Sequence, residues 1–124
     1  MAEGGNRVPS SVSVIDAHEL LQAGHRYLDV RTPEEFSQGH ATGAINVPYM
    51  NRGNFFAFWM SKNPNFLEQV SSHFGKGDEV LVGCQSEGRS LRATAELLDA
   101  GFTGVKDISG GYSAWTQNGL PTQD

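Results

Sequence analysis

The chain contains a single cysteine, Cys84, and its sequence neighbours suggest a chemistry for it. It follows the apolar run Glu79-Val80-Leu81-Val82-Gly83 and opens the segment Cys84-Gln85-Ser86-Glu87-Gly88-Arg89-Ser90, after which a helical pattern begins. Only four residues separate Cys84 from Arg89. A chain that turns from strand to helix in so short a space aims successive N–H groups inward, and the free amides and positive dipole end of a helix start stabilise an anion held there. A free cysteine titrates near ~8.5, and helix N-termini or adjacent cations commonly lower that value, so Cys84 is placed to be a thiolate at neutral pH. Arg89 adds a fixed cation with several donors for loop carbonyls or a bound oxyanion. Ser90 is a candidate helix cap or anion donor. A lone cysteine is by default a small buried hydrophobe. The strand-loop-helix setting instead makes Cys84 and Arg89 a candidate catalytic pair, with Gln85, Ser86, Glu87, Gly88 and Ser90 forming the substrate cradle.

The elements that must position this loop can be read on either side of it. Met1 to Ser10 is polar and Gly-rich and is expected to be a flexible terminus, with residues 11–124 forming one domain. Ser11 to Ile15 alternates like a strand, Asp16 is a candidate N-cap for a helix through about Gln22, and Gly24 would end it. Arg26 to Val30 reads as a strand. Thr32-Pro33-Glu34-Glu35 has the cap, the proline and the acidic first turn of a helix start, and Phe36 is expected to face inward from that helix. Gly39 to Pro48 combines turn residues with a short apolar strand. Asn51 to Trp59 carries the cluster Phe55-Phe56-Ala57-Phe58-Trp59, which has neither helical nor alternating period and reads as a loop. Asn65 to Phe74 is amphipathic, with Phe66, Val70 and Phe74 at four-residue steps. A helix from Ser90 to Ala100 places Leu91, Ala95 and Leu98 on one stripe, Val105 to Ile108 forms a strand, and Gly110 to Trp115 opens a last helix. Short strands alternating with helices imply a mainly parallel sheet covered on both faces, and ligands of such sheets bind beyond the carboxyl ends of the strands, where Cys84 lies.

Composition narrows the partners. The length of 124 residues suits one domain, and a net charge of −5 with nine basic residues spread along the chain argues against nucleic acid or an anionic membrane as partner. No apolar run approaches the ~20 residues of a membrane span, and Met1 to Ser11 lacks the features of a secretory signal. One cysteine forms no internal disulfide and leaves no second thiol to resolve an oxidised Cys84. His18, His25, His40 and His73 are scattered without metal-ligand spacing, so no metal is expected.

The segments Tyr27-Leu28-Asp29-Val30-Arg31, Glu35-Phe36-Ser37-Gln38-Gly39-His40, Gly43 to Pro48, the Cys84 to Arg89 loop, and Gly110-Gly111-Tyr112-Ser113-Ala114-Trp115 through Pro121 together resemble a single-domain rhodanese. The likeness is greatest to the small plant senescence-associated thiosulfate sulfurtransferases. It implies a three-layer α/β/α sandwich with a five-stranded, mainly parallel central sheet. It also implies a two-step, cofactor-free reaction in which Cys84 takes sulfane sulfur from a donor such as thiosulfate and passes it, as a persulfide, to cyanide, glutathione or thioredoxin. Thiolate attack on sulfane sulfur needs an ionised nucleophile and an anion-stabilising cradle more than a general base. Loop length separates the family from its phosphatase and arsenate-reductase relatives, since the phosphatases add a residue between cysteine and arginine, so four intervening residues favour sulfur transfer. The domain is expected to be a monomer of the cytoplasm or the plastid stroma. A non-catalytic persulfide carrier or redox-sensing module is the alternative from another functional class.

Several residues carry more than one reading. Glu87 is an unexpected charge in such a loop. Pointing inward at ~5 Å it would repel a dianion by on the order of 5–7 kcal/mol at an effective dielectric of 20, and far less if it points out or bonds Arg89. Asp29 and Arg31 read as a structural ion-pair network, His40 as a hydrogen-bonded structural residue, and Trp115 as core. The Phe55 to Trp59 cluster is either a loop folded over the sheet edge or an apolar rim for a protein partner.

Overall fold

The computed structural model describes residues 8–52 and 60–124. In chain order the elements are β1 (Ser11–Val12), α1 (Val14–Gln22), β2 (Arg26–Asp29), α2 (Pro33–Ser37), β3 (His40–Ala41), β4 (Ile45–Asn46), β5 (Met50–Arg52), β6 (Met60–Lys62), α3 (Phe66–Ser71), β7 (Glu79–Gly83), α4 (Arg89–Asp99), β8 (Gly104–Ile108), α5 (Gly111–Gln117) and β9 (Thr122–Gln123). Five of the strands form a parallel sheet in the order β1-β8-β7-β2-β4. Side chains alternate across it. Leu28, Val80 and Val82 face α3 and α4 in a cluster with Phe66, Val70, Phe74 and Leu97, whereas Tyr27, Leu81 and Ile108 face α1 and α5 around Trp115. This is the three-layer sandwich expected from the sequence, with both faces of a parallel sheet covered.

Local chemistry sets the boundaries, and some differ from the sequence reading. Strand β1 stops at Val12 because the Ser13 side chain accepts from the Asp16 N–H and caps α1, so Ser13 rather than Asp16 is the N-cap. Helix α2 starts as expected, with a full capping box between Thr32 and Glu35. Phe36 does not enter the core. It is half-buried and stacks on the His40 ring at 3.6 Å, while His40 Nδ1 donates to the Phe36 carbonyl. Helix α4 buries Ser90, Ala93, Thr94 and Leu97 rather than the stripe through Leu91, Ala95 and Leu98. Small residues at i, i+3 and i+4 let the helix sit close to the sheet, and this outweighs the hydrophobic pattern. Trp115 is core, as read, with its Nε1–H donating to the Pro121 carbonyl. Flanking the aromatic cluster, β5 and β6 pair antiparallel as a hairpin. Phe55 to Trp59 themselves lie outside the described residues.

Candidate active site

The parallel register brings the carboxyl ends of three strands together, with Asp29 opposite Gly83 and Val82 opposite Asp107. Cys84 is the first residue past β7 and is only 1% exposed. The carbonyls of Cys84 and Gln85 turn toward α5, where they accept from the N–H groups of Tyr112 and Ser113 at 2.8 and 2.9 Å. These bonds satisfy donors at a helix start whose glycine N-cap offers no side chain. They also orient the loop. Among the described residues, the N–H groups of Gln85, Ser86, Glu87 and Gly88 have no protein acceptor, and α4 begins immediately after them. Unpartnered amides followed at once by a helix N-terminus are the groups from which an anion cradle is built. Two glycines make it possible. Gly88 holds φ +91° at the N-cap of α4, and Gly111, at φ +57°, lies where an added Cβ would overlap the Cys84 carbonyl oxygen.

Arg89 is held by a carboxylate of α2, a partner the sequence did not indicate. Its Nη1 and Nη2 donate to Glu35 Oε1 and Oε2 at 2.7 and 3.1 Å, a bidentate pair with α2. Partial burial would raise the Glu35 carboxyl, but bonds from Arg89 and the Thr32 N–H outweigh it and lower the pKa to about 2. The same pairing raises Arg89. A carboxyl lowered on folding contributes stability that is fully present above its unfolded pKa, near 4.5, and is lost as pH falls toward 2. Discounted for partial exposure, this amounts to about 1–2 kcal/mol at neutral pH. Glu35→Gln is therefore expected to lower the urea midpoint at pH 7, and its gap from the unaltered protein should close as pH falls from 4.5 to 2. A gap independent of pH would contradict this role.

Beneath the cradle the sulfur sits on a buried polar chain. Cys84 Sγ–H donates to Ser90 Oγ at 3.3 Å, Ser90 Oγ–H donates to Asp107 Oδ1 at 2.5 Å, and Ser11 Oγ–H donates to Asp107 Oδ2 at 2.9 Å. Ser90 thus does not cap α4, whose N-cap is Gly88. Asp107 is 1% exposed, and burial raises its pKa; the Ser90 and Ser11 bonds oppose that shift, and the Glu87 charge adds to it.

The rest of the loop is braced from β2. Arg31 is buried against Asp29 with Nη2 to Oδ2 at 2.8 Å, gives a second Nη2 bond to the Gly39 carbonyl, and donates from Nη1 to Gln85 Oε1. Gln85 Nε2 in turn donates to Ser113 Oγ. The Gln85 side chain is therefore a strut, and its backbone N–H is the donor left without a protein acceptor among the described residues. Arg31 also lies over the Tyr112 ring at 4.2 Å, and these residues line a polar cavity of about 200 Å³ beside the loop. Ser86 and Glu87 are exposed at the loop tip. Glu87 neither bonds Arg89 nor lies free: its Oε2 accepts from the Gly110 N–H at 3.3 Å.

Sequence reasoning had located the loop but missed Glu35 as the partner of Arg89, Asp107 beneath Ser90, and the reach of Arg31 to Gln85. Glu35 was visible only as part of a helix start, and its partner lies 54 residues away. The Arg31 and Asp107 links are also long-range, with no local signal.

Comparison with known proteins agrees with this geometry. Residues 13–118 match the model of the rhodanese-like domain. The chain is 77% identical over 118 residues to thiosulfate sulfurtransferase 16, chloroplastic, of Arabidopsis thaliana, covering 95% of this chain and 96% of that one. It is 60% identical over 123 residues to senescence-associated protein DIN1 of Raphanus sativus, covering 99% of this chain but 66% of that longer protein. The fold matches the solution structure of the rhodanese-like domain of an Anabaena protein with a TM-score of 0.74 at 24% identity, over 94% of this chain and 80% of that one. Fold, cysteine loop and sequence kinship together place this chain in the rhodanese-like domain family.

Proposed function

We propose that the domain is a thiosulfate sulfurtransferase that carries sulfane sulfur as a Cys84 persulfide. The observation that carries this reading is the placement of the sole cysteine at the carboxyl end of β7, in a loop of unpartnered backbone N–H groups at the start of α4. In the first step the Cys84 thiolate attacks the outer sulfur of thiosulfate. An S–S bond forms to Cys84, the bond to the sulfonate sulfur breaks, and sulfite leaves with the electron pair, so charge balances at each side. The unpartnered N–H groups of Gln85 to Gly88 are the proposed hydrogen-bond donors to the anionic substrate. Arg89, neutralised by Glu35, fixes the loop rather than binding the donor. In the second step an external thiolate or cyanide takes the outer sulfur and restores the Cys84 anion. No second cysteine exists in the chain, so glutathione or thioredoxin is the proposed thiol acceptor. The plastid stroma is the proposed compartment, since the Arabidopsis relative is called chloroplastic.

Steady-state assays across thiosulfate, other sulfane donors, cyanide, glutathione and thioredoxin test this reading. Turnover with thiosulfate supports it, and inactivity with every donor and acceptor pair overturns it. Glu87 supplies a finer test. Its carboxylate is drawn toward Gly110, so its repulsion of the donor is that of a screened charge. At ~8 Å in water a unit charge opposes a dianion by about 1 kcal/mol, or about fivefold in affinity. Glu87→Gln is expected to lower the thiosulfate KM by up to that factor with kcat little changed, and a rise in KM would contradict it.

A further inference from the structure

A buried carboxylate without a cation needs a reason, and Asp107 is one. It is 1% exposed, and among the described residues no Lys, Arg or His pairs with it. The groups that face it are Ser11 from β1, Ser90 from α4, and Glu87 from the cysteine loop, the last adding negative charge. Such a group is costly to keep ionised, and burial already biases it toward the neutral acid. Two bonds away along a continuous chain sits a thiol that must lose a proton before it can react. The cysteine loop contains no histidine, and its one carboxylate, Glu87, accepts from the Gly110 N–H and is not hydrogen-bonded to Cys84.

We infer that Ser90 joins Cys84 and Asp107 into a pair that shares one proton, with Asp107 holding it when Cys84 is an anion. The transfer balances. The S–H bond breaks as Ser90 Oγ gains that proton, and the original Ser90 proton passes to Asp107 Oδ1. The negative charge moves from the carboxylate to sulfur, and Ser90 then donates to the thiolate. Ser11 stays on Oδ2 throughout. Since both half-reactions begin and end on sulfur anions, Asp107 can keep the proton through the cycle. Asp107 is thus a positioning residue that acts through Ser90. This rests on the reading of Cys84 as the nucleophile, but its test does not require sulfur transfer.

The test is the rate of Cys84 alkylation by iodoacetamide against pH in the intact protein, followed by mass. Two groups sharing one proton titrate in two macroscopic steps. The unaltered protein is therefore expected to show a lower step, a plateau of partial reactivity, and an upper step. Asp107→Asn keeps a donor toward Ser90 but can take no proton. Its profile is expected to show one step, below which the rate falls the full tenfold per pH unit, as for an isolated thiol. A single step in the unaltered protein, superposable on that of Asp107→Asn, overturns the inference, as does a Cys84 inert at every pH. If Asp107→Asn does not fold, the 13Cγ resonance of Asp107 in the unaltered protein serves instead. Alkylating Cys84 removes the sulfur anion, so that resonance is expected to titrate at lower pH after alkylation, and an unchanged titration overturns the inference.

Discussion

Replacing Cys84 by serine is expected to abolish thiosulfate sulfurtransfer, with a loss on the order of 10⁴ or more, while leaving the fold in place. The size follows from covalent catalysis: no other group in the cradle can form a bond to sulfur, and a hydroxyl does not hold sulfane sulfur. The fold survives because a serine hydroxyl is smaller than the thiol and keeps a hydrogen-bonding atom toward Ser90, so the cost is about 1–2 kcal/mol, or roughly 4–8 °C in Tm. Thiosulfate kinetics and a thermal melt on the same sample separate the two effects. Activity within tenfold of the unaltered protein would mean that sulfur moves by another route.

The largest expected effect on stability lies at the end of β2. Asp29 and Arg31 are 1% and 2% exposed, and Asp29→Ala leaves the guanidinium buried without a counter-charge, with the Gly39 carbonyl, Gln85 and the face of the Tyr112 ring as its remaining partners. Breaking a buried pair on one side typically costs about 3–5 kcal/mol, a large part of the total stability of a small domain. The exposed pair of Lys62 with Glu96, at 43% and 26% side-chain exposure, makes the comparison: Glu96→Gln should cost far less. Urea unfolding at neutral pH measures both. The double replacement Asp29→Leu with Arg31→Met should recover much of the Asp29→Ala loss, since no charge is left buried, but it removes the strut to Gln85 and is expected to loosen the cysteine loop. Similar small losses at the two pairs would show that burial is not what gives the Asp29 pair its weight.

What the sequence revealed and what it concealed divide along physical lines. The cysteine loop, the capping box at Thr32 and Glu35, and the buried positions Phe66, Val70 and Phe74 were legible because each is a local pattern of four to nine residues. Ser13 displaced Asp16 as a cap because two serviceable caps stood three residues apart and only the strand pairing of Ser11 and Val12 chose between them. The inner face of α4 was misread because hydrophobicity pointed to Leu91 and Leu98, whereas close approach to the sheet selected Ser90, Ala93 and Thr94. Arg89 was legible as the cation that closes the loop but its partner was not, since nothing near it in sequence foretells Glu35. Asp107 read as one polar residue in a strand. Its meaning arises only when the register sets Ser11 opposite it and α4 brings Ser90 above it.

The central claim, that Cys84 carries sulfane sulfur, is tested most directly by intact mass after brief exposure to thiosulfate and removal of excess donor. The expected result is an added sulfur, about 32 Da, on the unaltered protein, absent from Cys84→Ser and discharged by cyanide or glutathione. An unaltered mass with thiosulfate and with every other sulfane donor would contradict the claim.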